Sequence, residues 1–270
     1  MSVQVRTDAS SRTSLKVLDN HQVDEFIRDG YTVVRNVFSP QIAEAIRDYL
    51  WEELAAQGVR RASPSTWTKR VVHLAKVYHE EPFTGVWTDR LFGALDDVLG
   101  EGRYSAPVGL GWWPVSFPNF DTPPWSAPTE GWHIDGIQFH HHINSADQGL
   151  LPLFILSDIS PGGGGTAVSA GSHAITARIL ATAEPDGLDD DELTTRVLQH
   201  PIQDVRELTG KAGDVALVHP FLLHARSPNT GPAVRFICNP CIPLKEPMNL
   251  RRSDVSEYSP VEQAIVNSIR

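Results

Sequence analysis

The chain is short of cysteine, of long apolar runs and of positive charge. Its two cysteines, Cys238 and Cys241, cannot supply a disulfide framework. No apolar stretch approaches the roughly 20 residues that a membrane-crossing helix needs. The opening segment MSVQVRTDASSRTSLKV lacks the apolar centre of a secretory signal. The expected compartment is therefore a reducing cytoplasm, with no membrane partner. Asp and Glu number 33 against 23 Lys and Arg, a formal net charge of -10. Nucleic-acid binders normally carry a basic surplus, so no nucleic-acid partner is expected. Part of the acidity sits in residues 186–192, a charge run that reads as a solvated face.

What is present is ordinary globular usage, 41% hydrophobic and 21% charged over 270 residues, which fits one large domain. Residues 1–17 are polar and expected to be flexible. Residues 18–102 read as a helical flank. Asn20 caps a first helix carrying Val23, Phe26 and Ile27, and Gly30 stops it. A short strand follows at residues 32–34. Ser39-Pro40 opens a second helix, with Ile42, Ile46, Leu50 and Leu54 on one face and Gly58 after it. A third helix carries Leu91, Leu95 and Leu99 before Gly100. From residue 103 to 243 the chain turns into short apolar runs divided by Gly, Pro, Asn and Asp, the pattern of a sandwich or barrel. A polar helical insertion interrupts it at about residues 174–199, and residues 244–270 form a tail with a helix opening at Ser259-Pro260.

The chemistry-bearing motif is Trp132-His133-Ile134-Asp135-Gly136. On a strand, residues i and i+2 share a face, so His133 and Asp135 can aim an imidazole and a carboxylate at one point. A distant second histidine would complete a two-His, one-carboxylate set with open coordination positions. His-x-Asp alone is weak, since it arises by chance in many surface turns. The downstream stretch GDVALVHPFLLHARSPN, with Arg235 beyond it, makes the pattern more specific. Two histidines there, His219 and His224, compete for the second imidazole position. Arg235 follows His224 by eleven residues, and its planar charged fork suits a carboxylate behind the metal.

With FIRDGYTVVRNVFSP, WHIDG, SDISPGGGGTAVSAGSH and GDVALVHPFLLHARSPNTGPAVRF, the chain resembles the phytanoyl-CoA dioxygenase branch of the Fe(II)/2-oxoglutarate oxygenases. The resemblance covers most of the chain. It implies a mainly β fold, a double-stranded β-helix (jelly-roll, cupin-like) core flanked by N-terminal helices. It implies iron ligands at His133, Asp135 and His224, and a 2-oxoglutarate partner at Arg235. Fe(II), 2-oxoglutarate and O₂ are the implied cofactor and cosubstrates, with succinate and CO₂ released. The expected primary substrate is a small-molecule metabolite, with specialised metabolism the favoured context and hydroxylation the favoured outcome. Related halogenases lack the carboxylate that Asp135 supplies here. Desaturation or ring closure at the same site, and a non-catalytic jelly-roll binding protein, are the alternatives. The sequence departs from the family pattern at Ile134, often Gln, and at Arg226, where a small hydroxyl residue is common. It departs again at Gly164-Gly165, in place of Asn-Gly. Thr166, next in the chain, is placed near the cosubstrate.

Other motifs have blander readings. His140, His141 and His142 cannot all face one ion on an extended chain, so one or two are expected to line the pocket. Cys238-Asn239-Pro240-Cys241 has no second pair to make a zinc ribbon and follows a strand, so its thiols are expected to be inert. Gly162 to Gly165 lacks the Lys-Ser/Thr of a phosphate loop and reads as a tight connection. Trp112, Trp113 and Trp132 either wall the pocket or pack in the core.

Overall fold

The computed structural model describes residues 14–107 and 109–270. The expectation of a flexible 1–17 falls mostly outside them. Residues 16 and 17 are tied down, since the N–H groups of Lys16, Val17 and Leu18 donate to the Asp97 carboxylate at 2.8, 2.8 and 2.9 Å.

Helix α1 spans Asn20–Asp29. Its cap is Asp19 rather than Asn20, because Asp19 and Gln22 form a reciprocal capping box that satisfies two free N–H groups. Gly30, in the left-handed conformation, ends the helix. Helix α2 (Pro40–Ala56) is capped by Ser39 and buries Ala43, Ile46, Leu50, Trp51 and Leu54. Helix α3 (Asp89–Leu99) starts at the Thr88 cap.

The region read as a helical flank also holds two strands, β1 (Tyr31–Val34) and β2 (Val71–Tyr78). Strand β1 joins the core as an edge, and β2 pairs antiparallel with β3 (Leu110–Ser116). The second of these was not visible in the sequence. Its partner lies more than thirty residues away in the chain, and a register shift between Leu74 and Val77 breaks the apolar alternation that a half-open strand would show.

Further strands are β4 (Leu151–Ile155), β5 (Ala167–Ser169), β6 (Val205–Glu207), β7 (Val215–Val218), β8 (His224–Ala225) and β9 (Ile237–Cys238). They form a four-stranded sheet in the order β1-β7-β4-β9 and a three-stranded sheet in the order β6-β5-β8. Between β5 and β6, α4 (His173–Ala183) and α5 (Asp190–Val197) make up the insertion. Helix α6 (Pro260–Ile269) packs on α1, α3 and α4.

Two apolar clusters explain why β4 and β7 read as continuous apolar runs. Leu151, Leu153, Ile155, Ala216 and Val218 pack with Val168 and Leu208, between the two sheets. Phe154, Val215 and Leu217 face the other way, onto the helical flank. Both faces of the four-stranded sheet are therefore dry, which removes the alternation of a half-exposed strand. The architecture is the jelly-roll core with flanking helices. No helix among the described residues is long and apolar enough to cross a membrane.

Candidate metal centre and its surroundings

His133 and His224 come from segments ninety-one residues apart in the chain and meet as a cross-strand pair. His133 N–H donates to the His224 carbonyl at 2.9 Å, and His224 N–H donates back to the His133 carbonyl at 3.1 Å. Directly opposed residues present their side chains on one face, and the two imidazole centroids lie 4.4 Å apart. The WHIDG segment is an isolated bridge and bend rather than the strand assumed from its spacing. Asp135 still reaches the pair. Its Oδ1 is 3.2 Å from His133 Nε2 and its Oδ2 is 3.5 Å from His224 Nε2. Gly136 then turns the chain away at φ 138°, where a Cβ would sit 2.5 Å from the His141 ring. Only glycine serves there.

The donor set fits a divalent metal. One ligand atom from each of His133, Asp135 and His224 lies within 4.8 Å of the others. Each Nδ1 is taken up by a backbone carbonyl, Gly131 for His133 and Leu222 for His224, both at 2.9 Å. That fixes the tautomer with the proton on Nδ1 and leaves each Nε2 lone pair free to ligate. Burial alone would raise the Asp135 pKa, but His224 and His133 together hold it well below the ordinary range, so the carboxylate is ionised. His133 is half-exposed while His224 is buried, so the cluster is open on one side.

Arg226, two residues beyond His224, and Arg235 make up a cationic region. Arg235 is 2% exposed, and its Nε and Nη1 have no hydrogen-bond partner among the described residues. Burial, then the like charge of Arg226, pushes its pKa down to about 10, which still leaves it charged at neutral pH. A buried unpaired guanidinium is costly, so this one calls for an anion. Burial, then Arg235 and Arg226, lowers the His73 pKa, which keeps that imidazole neutral. Ser116 faces Arg235 across an isolated bridge, and its buried hydroxyl also lacks a partner.

Thr166 lies two residues before Val168, the position paired with His224, and its carbonyl accepts from Leu208 N–H. The glycine run wraps a carboxylate. Gly162, Gly164 and Gly165 N–H groups donate to Glu207 at 2.6, 2.9 and 2.9 Å. A Cβ on Gly165 would lie 2.0 Å from the Leu208 carbonyl, which explains why the run cannot carry side chains there.

The other motifs resolve as structure. His219 is buried between Phe26, His173 and Phe221, and its Nε2 meets the Val261 carbonyl. His140, His141 and His142 hold the insertion instead of lining the pocket as expected. His140 Nε2 meets the Asp186 carbonyl, the His141 backbone pairs with Leu188, and His142 meets Glu184. Both cysteines are free, and burial raises both thiol pKa values. Trp113 and Trp132 are core residues, while Trp112 is exposed. Besides Ser116, two polar residues escaped the sequence reading. Asn239 Nδ2 donates to Asp135 Oδ2 at 3.3 Å, and the buried Gln148 amide has an unpaired nitrogen. A lone Asn or Gln carries no motif, so nothing in the sequence could mark them.

Comparison with known proteins agrees with this architecture. The carbocyclase SnoK from nogalamycin biosynthesis, described as alpha-ketoglutarate dependent, aligns over 87% of both chains with 17% identity and a TM-score of 0.53. EctD from S. alaskensis with bound Fe aligns over 84% of this chain and 76% of its own, with 20% identity and a TM-score of 0.51. At such identities these likenesses speak for the fold. No curated protein sequence matches. The sequence model of the phytanoyl-CoA dioxygenase (PhyH) family matches residues 26–237. The chain belongs to that family of iron- and 2-oxoglutarate-dependent oxygenases.

Proposed function

We propose that the chain hydroxylates a small-molecule metabolite, with His133, Asp135 and His224 holding Fe(II). The iron, when bound, supplies the O₂-activating chemistry, with 2-oxoglutarate consumed to succinate and CO₂. Arg235 holds the distal carboxylate of 2-oxoglutarate. The Ser116 hydroxyl beside it is a second contact, in a chain that has Arg226 where the family pattern commonly has a hydroxyl residue. Thr166 is a further contact. Asp135 fills the position whose loss accompanies halogenation, which favours hydroxylation. Ring closure remains the second outcome such a site supports, as the description of SnoK illustrates for that protein.

The observation that carries this reading is the buried charge of Arg235, whose Nε and Nη1 have no partner among the described residues. A protein that had lost catalysis would have no use for such a group, because its desolvation is unrecovered. The test is anaerobic titration of Fe(II) and then 2-oxoglutarate, followed by O₂. One Fe(II) per chain, a metal-to-ligand charge-transfer band and succinate release are expected. Fe(II) bound with neither band nor succinate would defeat it.

A further inference from the structure

We propose that the cavity beside Asp135 takes the primary substrate, and that it selects an uncharged, apolar-faced molecule whose hydrogen-bond acceptor is held by Gln148. This rests on the reading of His133, Asp135 and His224 as the metal site.

The cavity, of roughly 260 Å³, is lined among others by Val77, Trp112, Asp135, Ile137, Gln148 and Asn239. Large apolar side chains seldom stand clustered in water without a partner. Yet Val77, Trp112 and Ile137 are 52%, 53% and 74% exposed, and all three border this one cavity. The exposure of Trp112 is built in. The β2–β3 register shifts between Leu74 and Val77, so Trp113 pairs with Leu74 and Gly111 with Val77, leaving Trp112 unpaired. Trp112 sits at φ 71°, a left-handed conformation that bulky residues rarely adopt. Such a bulge re-aims a side chain, and here it turns an indole out towards the cavity while Trp113 stays in the core. Strain of this kind persists where function holds it.

Gln148 adds polar specificity. It is 4% exposed, and its Nε2 has no partner among the described residues. A buried amide left unpaired is costly, so an acceptor on the ligand would complete it. Charge narrows the ligand further. Asp135 is the one ionisable carboxylate on the lining among the described residues, and no Lys, Arg or His lines it. The cations Arg226 and Arg235 and the neutral His73 are not on this lining. Burial, with Asp135 and Asp147, pushes the Cys241 thiol up to about 12, so it adds no charge. A phosphate or carboxylate would find no counter-ion here. A cation would find only a carboxylate already engaged by the metal.

The probes are 2-acetylnaphthalene, 2-ethylnaphthalene and 2-naphthoate, titrated calorimetrically into the anaerobic Fe(II)- and 2-oxoglutarate-loaded protein. Both neutral probes should bind, and 2-naphthoate should bind at least about tenfold more weakly than the ketone. In Gln148→Leu the preference for ketone over ethyl should fall about tenfold, the value of one recovered hydrogen bond. Gln148→Met, which keeps the length and loses the donor, should do the same. Trp112→Ala should weaken both neutral probes equally. The charge-transfer band, recorded alongside, should be unchanged in every variant, so failure of the cosubstrate reading is seen separately from failure of the pocket. Tighter binding of 2-naphthoate than of the ketone, an unchanged ratio in both Gln148 variants, or no binding of either neutral probe at its solubility limit would overturn the proposal.

Discussion

Arg235 and Ser116 exchange two backbone hydrogen bonds, Arg235 N–H to the Ser116 carbonyl at 2.8 Å and Ser116 N–H to the Arg235 carbonyl at 3.0 Å, and both end in buried polar atoms without partners among the described residues. The pairing places the guanidinium and the hydroxyl side by side on one face. Neither group is completed by the protein itself, which is the condition of a binding site waiting for a polar ligand.

Arg235→Leu is expected to split stability from function. Removing an unpaired buried charge should raise the urea midpoint of the metal-free protein. The same change should weaken 2-oxoglutarate by about a hundred- to a few thousand-fold, from roughly 3–5 kcal/mol for a broken buried ion pair. Arg235→Lys should recover part of the affinity, since it restores charge without the two-pronged geometry. Equal 2-oxoglutarate affinity in wild type and Arg235→Leu would move the carboxylate partner to Arg226.

Ser116→Ala is expected to cost less. One hydroxyl hydrogen bond to a charged group is worth about 1.5–3 kcal/mol, so 2-oxoglutarate should weaken roughly ten- to hundredfold while Fe(II) affinity stays put. If the variant binds 2-oxoglutarate as wild type does, Ser116 is not a contact of the cosubstrate.

Much of the site could be read from the sequence because its geometry is encoded in short spacings. His133 and Asp135 are two residues apart, so a local rule brings those two together, whereas His224 joins them only through a bridge that spans ninety-one residues. The mechanism assumed for WHIDG was nevertheless too regular. A single bridge to His224, with a bend, does the work of a strand. The three helices with apolar periodicity were equally legible, although Asp19 took the cap because only it stands three residues before Gln22. What stayed hidden depends on non-local pairing or on the lack of a partner. Strand β2 forms only against β3, and Gln148 and Ser116 stand out only once burial and unsatisfied atoms are known.

His224→Ala should abolish tight Fe(II) binding, whereas His219→Ala should leave it. His224 Nε2 points to the carboxylate that holds the cluster, while His219 is spent on the Val261 carbonyl and on packing. The expected phenotype of His219→Ala is instability, seen as a lower urea midpoint with full metal stoichiometry after refolding. Metal loss in His219→Ala and retention in His224→Ala would reverse the assignment.

Acid should destabilise the protein through its buried histidines. Burial pushes the His173 pKa down to about 4, and His219, its ring packed against it with centroids 5.0 Å apart, is held well below its ordinary value. Both are neutral when folded, and each regains a pKa near 6.5 when unfolded. Below that value the unfolded chain binds more protons, so stability is whole above about pH 6.5 and falls as pH drops towards 4. For His173 alone the loss across that window is about 3 kcal/mol. Urea midpoints of wild type and His173→Phe, measured from pH 7 to 5, should show a shallower slope in the variant. Parallel slopes would mean that carboxylates, not this pair, govern the acid limb.

Asn239 is expected to position the metal's carboxylate. Its Nδ2 donates to Asp135 Oδ2 at 3.3 Å, the same oxygen that faces His224. Without that donor, Asp135 can rotate about its terminal bond and lose the orientation that brings three donors to one point. Outer hydrogen bonds of this kind are typically worth about ten- to a hundredfold in metal affinity. Asn239→Leu should therefore weaken Fe(II) by that factor, measured by competition with a chelator. With Fe(II) at saturation, the affinity for 2-oxoglutarate should match wild type, because Arg235 and Ser116 are untouched. Gln148→Leu, on the same cavity wall, should leave Fe(II) affinity unchanged and so serves as the control. An Asn239→Leu protein that binds Fe(II) as tightly as wild type would show that Asp135 is held by its two histidines alone.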